Sequence, residues 1–149
     1  MEKTAESRSP YGNELMYAIK RFHHEMEIAL NRMLKPYGLS YGQWYVLLII
    51  HREGTLSQKD LQKIMEIESA TVTRIIDSLI RKGWLIREEK PEDRRIKVLK
   101  FTSGGRQRWS KLPDLISAGR NLMYEGMGEK EISTTLEVLT RITDRFQNF

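Results

Sequence analysis

Six residues in the middle of the chain, Lys90-Pro91-Glu92-Asp93-Arg94-Arg95, set two adjacent guanidiniums and a carboxylate beside a turn-forming proline. Arginines delivered by a hairpin tip can enter the narrow minor groove of duplex DNA, where negative potential is focused. A carboxylate beside them can hold one guanidinium in place through charge-assisted hydrogen bonds. The same residues also suit an exposed ion-pair cluster with no ligand. Upstream, Ser69, Ala70, Thr71, Arg74 and Ser78 recur at helical spacing on the side opposite an apolar stripe of Val72, Ile75, Ile76 and Leu79. Short hydroxyls can bond bases or phosphates, and Ala70 can touch a thymine methyl. Arg74 can fork onto a guanine or clamp a phosphate. Each of these positions is equally at home facing solvent, and Thr73, at the edge of the stripe, reads first as structural.

Charge alone leaves a DNA-binding face and an ordinary solvated hairpin about even, but its distribution is informative. The chain carries +5 overall. Between Arg81 and Lys111 there are eleven Lys/Arg and four Asp/Glu, a local +7 in a chain whose remainder is −2. A confined basic patch is what a polyanion-binding face requires, because displaced counterions drive association with phosphates. A winged helix used for protein contacts would carry a neutral or acidic second helix and wing, so duplex DNA is the favoured partner and protein contact the alternative.

The elements that must position these residues follow from periodicity. Residues 1 to about 12 read as a loosely attached arm ending in Pro10-Tyr11-Gly12. Asn13 to Lys35 spaces Leu15, Ile19, Phe22, Met26, Ala29 and Met33 as one long amphipathic helix, closed by Pro36 and Gly38. Such a helix is about 35 Å long and suited to packing on a partner. Ser40 with Gln43 forms a capping box for a helix to Glu53 that is apolar on nearly every side. Ser57 caps Gln58 to Met65, with Leu61 and Ile64 facing inward. A turn over Glu66 to Glu68 leads into a second helix ending at Lys82-Gly83. Two short helices joined by a tight turn, the second small, polar and basic outside, make a helix-turn-helix.

Strand-like Trp84–Arg87 and Ile96–Phe101 flank a charged loop from Glu88 to Arg95, giving a β-hairpin wing. Thr102 or Ser103 then opens a helix continuing through Leu112, Leu115, Ile116, Gly119, Leu122 and Met123, with Pro113 as a kink. After Gly126-Met127-Gly128, the last helix spaces Ile132, Leu136, Leu139, Ile142 and Phe146. The expected fold is mainly α with a small β-hairpin wing, a winged helix-turn-helix with long terminal helices.

From Leu39 to Gly105 the chain resembles the MarR family. The resemblance is carried by Leu-Ser-x-x-Gln at Leu39–Gln43, Leu-Ser-Gln-Lys-Asp-Leu at Leu56–Leu61 and Thr-Val-Thr-Arg at Thr71–Arg74. It continues in Leu79, Lys82-Gly83, Arg87, Asp93-Arg94-Arg95 and Phe101-Thr102. It implies one domain over residues 1–149, with the winged helix at about 39–102 and dimerisation helices at about 11–36 and 103–147. It also implies a homodimeric repressor on a pseudo-palindromic operator. The recognition helix would lie in the major groove and Arg95, braced by Asp93, in the minor groove, with Arg94 on the backbone. Many such repressors are released by small aromatic anions, and a pocket between the dimerisation helices and the DNA-binding lobe would draw on Tyr11, Tyr37, Trp44, Tyr45 and His51, with Tyr17 and Met33 as further candidates. Ordinary core and interface packing explains each of these residues better when it is taken singly. Two departures stand out: Phe101 replaces a common leucine, and Gly104-Gly105 suggests a later or looser helix start.

Other functions find little support. The chain has no cysteine, which removes disulfides, thiolate metal sites and cysteine redox switching. His23, His24 and His51 are dispersed, and His23 and His24 read as helix-surface residues, so no metal or other cofactor is expected. No phosphate-binding glycine loop or nucleophile elbow is present, and no enzymatic activity is expected. The longest strongly apolar run, Trp44–Ile50, is far shorter than the ~20 residues needed to span a bilayer. The polar N-terminus lacks a signal peptide's apolar stretch, so a cytoplasmic location is expected.

Overall fold

The computed structural model describes residues 11–149, so most of the expected N-terminal arm lies outside the described residues. The chain forms two compact units, one ending at Leu112 and the other running Pro113–Phe149. In the first, α1 (Glu14–Leu34) gives way to a 3-10 turn at Lys35–Tyr37, where Pro36 and left-handed Gly38 end the helix. Only Leu30 and Leu34 of α1 are buried, at its C-terminal end. Leu15 and Phe22 of the apolar stripe remain about half exposed in the single chain, at 49% and 48%.

The Ser40 hydroxyl accepts from the Gln43 N–H, while Gln43 Oε1 accepts from the Ser40 N–H. This reciprocal cap starts α2 (Tyr41–Glu53), which buries Trp44 and every residue from Val46 to Ile50. Helix α2 is therefore the central element of the first unit, as its all-round apolarity predicts. Ser57 accepts from the Asp60 N–H and starts α3 (Gln58–Met65). Leu61 of α3 is fully buried, but Ile64, expected inward, is 45% exposed. Three residues advance an α-helix by less than a full turn, so in a two-turn helix Ile64 falls on the flank of Leu61's face. Helix α4 (Ser69–Arg81) buries Val72, Ile76 and Leu79 and stops where Gly83 adopts φ +73°.

The sheet has three antiparallel strands in the order β1-β3-β2, formed by β1 (Leu56–Ser57), β2 (Leu85–Lys90) and β3 (Asp93–Phe101). Strand β1 was not expected, because two residues carry no period-two signal. The Glu88–Arg95 loop is also corrected: the strands run through most of it and leave Pro91-Glu92 as the turn. Charged residues extend these strands because they pair across them, Lys97 with Glu89 at 3.0 Å and Lys100 with Glu88. Trp84, Leu85, Leu99 and Phe101 are buried at the base of the hairpin.

Thr102 caps α5 (Ser103–Trp109) by accepting from the Gly105 N–H. The two glycines therefore do not delay this helix. The expected continuous helix through residue 112 is instead broken, with α5 ending at Trp109 and α6 (Leu115–Tyr124) opening the second unit. Pro113 has no N–H to continue a helix, and Asp114 caps a new one by accepting from the Ser117 N–H. Helix α7 (Glu129–Gln147) follows, its Glu131 side chain accepting from the Gly128 N–H. No α7 residue is buried, and Leu136 and Phe146 are 66% and 72% exposed. Among the described residues, no helix is long and apolar enough to cross a membrane.

Candidate nucleic-acid interface

Helix α4 presents Ser69, Ala70, Thr71 and Arg74 to solvent from its first turns. Its orientation is set by polar contacts on three sides. Thr73 accepts from Gln58 Nε2 at 2.8 Å and donates to the Ser69 carbonyl, joining α3 to α4. Asp77 forms an ion pair with Arg87 of β2 at 2.8 Å, and Arg87 also donates to Gln58 Oε1. Ser78, expected on the outer face with the candidate DNA contacts, is half-buried and accepts from Gln43 Nε2 at 2.9 Å. Its hydroxyl faces α2, because it lies at the flank between Ile75 and Leu79. Lys82 completes this lock by donating to Gln43 Oε1 and the Gly38 carbonyl. Gln43, Gln58 and Arg87 thus position α4, a role that local spacing could not reveal because their partners lie 10 to 39 residues away.

At the wing, the pairing passes from Glu89↔Lys97 to Lys90↔Asp93. One step along β2 therefore matches four along β3, and Arg94, Arg95 and Ile96 bulge from the ladder. Asp93 organises this bulge. Its carboxylate accepts from the Arg95 backbone N–H at 3.0 Å, from Nε at 3.1 Å and from Nη2 at 3.2 Å. The Arg95 side chain is nevertheless 91% exposed. A forked contact thus fixes the guanidinium's direction while leaving its outer edge available.

The Arg95 side-chain bonds, then its backbone bond, hold the Asp93 carboxyl below its ordinary value of 3.8, and the charge of Lys90 adds to the effect. A carboxylate with a lowered value keeps its contacts at all pH above the ordinary value and loses them as pH falls through the lowered one. In a pH titration followed by NMR, the movement of the Arg95 Nε–H signal should have its midpoint below pH 3.8. Movement centred at or above that value would mean the brace does not form in solution.

The candidate pocket residues do not share one site. Tyr11 and Tyr37 are exposed, at 67% and 42%. Trp44 is buried and stacks on Tyr41 at 5.9 Å, and the Tyr45 ring lies 6.2 Å from that of Tyr41. His51, two turns further along α2, lies 5.1 Å from the Trp109 ring. It lines a cavity of about 160 Å³ with Phe101, Arg106 and Trp109. Sequence reasoning missed Arg106 and Trp109, which are far from His51 along the chain. His23 and His24 are exposed on α1, and no metal-competent cluster occurs among the described residues.

Comparison with known proteins adds a family to this geometry. The model of the MarR family matches residues 39–97. The HTH-type transcriptional regulator YdgJ of Bacillus subtilis is 32% identical over 111 residues, covering 74% of this chain and 68% of that protein. The multiple antibiotic resistance protein MarR of Escherichia coli K12 is 33% identical over 76 residues, covering 51% of this chain and about half of that protein, 53%. Among solved structures, a Staphylococcus aureus MepR–DNA complex shares the fold with a TM-score of 0.79 at 20% identity, covering 87% of this chain and 96% of that one. The chain belongs to the MarR family of winged helix-turn-helix transcriptional regulators.

Proposed function

We propose that this chain regulates transcription by binding a specific double-stranded DNA sequence as a homodimer. As a member of a regulator family it is not an enzyme. The observation that carries the reading is the exposed Arg95 guanidinium, braced by Asp93 at the tip of a hairpin that follows an outward-facing polar helix. The first turns of α4 enter the major groove, where Ser69, Ala70, Thr71 and Arg74 meet base edges and phosphates. Arg95 enters the adjoining minor groove and Arg94 contacts the backbone. MepR, whose structure was solved with DNA, supports this docking by its shared fold.

Dimerisation is supported by the uncovered apolar residues of the terminal helices, Leu15 and Phe22 on α1 and Leu136 and Phe146 on α7. On this reading the chain is a single functional domain, with the winged helix at about 39–102 and dimerisation helices on either side. It acts in the cytoplasm as a repressor on a pseudo-palindromic operator. A small aromatic anion releases it, and the cavity beside His51 offers Trp109 and Phe101 for stacking and Arg106 for charge.

Footprinting the DNA upstream of the gene with the purified chain tests this proposal. Two protected half-sites about one helical turn or a multiple apart are expected. A uniform, unprotected ladder would contradict it. Arg74→Ala on the same site should cost about 1–3 kcal/mol of sequence preference if Arg74 forks onto a base. An equal loss on all sequences would instead place Arg74 on a phosphate.

A further inference from the structure

We infer that the cleft between α3 and the wing seats the sugar-phosphate strand dividing the two grooves, with Lys59, Lys63 and Lys90 as its phosphate contacts. This rests on the DNA-binding reading and extends its interface to residues outside α4 and the wing tip. The cleft has a volume of about 920 Å³ and is bounded by Thr55, Ser57 and α3 residues from Gln58 to Lys63 on one side and by β2 and β3 on the other. At one end it includes Gln58, which is bonded to Thr73 of α4. At the other it reaches Glu92 and Ile96, the residues on either side of the Asp93–Arg95 brace. It therefore connects the two elements assigned to adjacent grooves. Neighbouring major and minor grooves are separated by a sugar-phosphate strand, so a protein occupying both must accommodate that strand between them.

The charges in the cleft agree with this occupant. Lys97 and Lys100 are paired with Glu89 and Glu88 across the hairpin. Asp60 accepts from the Ser57 hydroxyl at 2.6 Å and keeps its charge, so the five lysines and four carboxylates of the lining leave the cleft a net +1. Lys59, Lys63 and Lys90 are exposed and form no salt bridge among the described residues. Glu92, also exposed, sits at the outer rim by the turn. Three unpaired ammonium groups along a cleft suit a chain of singly charged phosphates. As compact charges on flexible stems, they supply attraction without reading sequence.

The test is the salt dependence of binding to a shuffled-sequence duplex, which needs no knowledge of the operator. Fluorescence anisotropy with the full chain would compare the parent, a K59Q/K63Q/K90Q triple variant and the corresponding triple arginine variant. Each phosphate contact contributes about 0.9 to the slope of log affinity against log salt. The glutamine variant should therefore lose about 2.7 of slope per bound protomer, each single variant about a third of that, and the arginine variant close to none. Preference for the footprinted site over the shuffled duplex should stay unchanged. A parent-like slope in the glutamine variant would overturn the inference while leaving the DNA-binding reading in place. A parent with no salt-sensitive binding would instead remove the DNA-binding reading itself.

Discussion

Replacing Arg95 with alanine is expected to weaken DNA binding by about tenfold to a hundredfold and to leave the fold and the oligomeric state unchanged. The magnitude follows from the ~1.5–3 kcal/mol that a hydrogen bond to a charged group contributes, with each 1.4 kcal/mol worth about a factor of ten. The fold should tolerate the change because the Arg95 side chain is 91% exposed and its side-chain hydrogen bonds among the described residues go to Asp93. Asp93→Asn should give a smaller loss: the guanidinium keeps its charge but loses the carboxylate that fixes its direction. Binding by anisotropy and mass by sedimentation would check both variants. Unchanged affinity for Arg95→Ala would mean that the wing does not insert.

The largest expected effect on stability comes from a glycine. A Cβ on Gly105 would lie 2.2 Å from the Trp84 carbonyl oxygen and 2.9 Å from its carbon. That carbonyl already accepts from the Thr102 N–H at 3.1 Å, at the junction of the wing and α5. Backbone cannot swing aside as a side-chain tip can. The gain of about 1 kcal/mol in helix propensity is therefore outweighed by overlap that typically costs ~1–3 kcal/mol and occasionally more. Gly105→Ala should lose about 2 kcal/mol and lower the melting temperature by roughly 4–8 °C. Its neighbour is the control. A Cβ on Gly104 meets nothing within 4 Å, so Gly104→Ala should stabilise by up to about 1 kcal/mol. Melting curves that shift in the same direction for both variants would contradict this account.

The same junction illustrates what the sequence could and could not convey. A pair of glycines after the wing suggested a loose helix start, whereas Gly105 is there because α5 passes directly over Trp84. Close approach between distant segments leaves no periodic trace. Local signals fared better: Ser40 with Gln43, Ser57 and Gly83 each lie at the helix boundary they indicate, because capping is decided within one turn. The buried stripe of Val72, Ile76 and Leu79 followed from spacing alone. That Asp93 could brace one of its neighbouring arginines was legible in the sequence, and the family resemblance singled out Arg95, which the structure pairs with it.

Misreadings arose where a residue's surroundings come from elsewhere in the fold. Ser78 is turned toward α2 by Gln43, and Ile64 sits beside the covered face of α3. Glu89 belongs to a strand with Lys97 opposite, and Glu88 to the same strand with Lys100 paired to it on the diagonal.

The central claim, sequence-specific binding of duplex DNA by a positively charged winged helix, is tested most directly by one salt series. The purified chain would be titrated by anisotropy against the duplex upstream of its gene and against a shuffled duplex, at 50 and 200 mM salt. Affinity for the upstream duplex should exceed that for the shuffled one by about 10³ or more at a given salt concentration. With 6–10 phosphate contacts per dimer, affinity should also fall by roughly 10³–10⁵ between the two salt concentrations. Equal affinity for both duplexes, or binding that ignores salt, would contradict the claim.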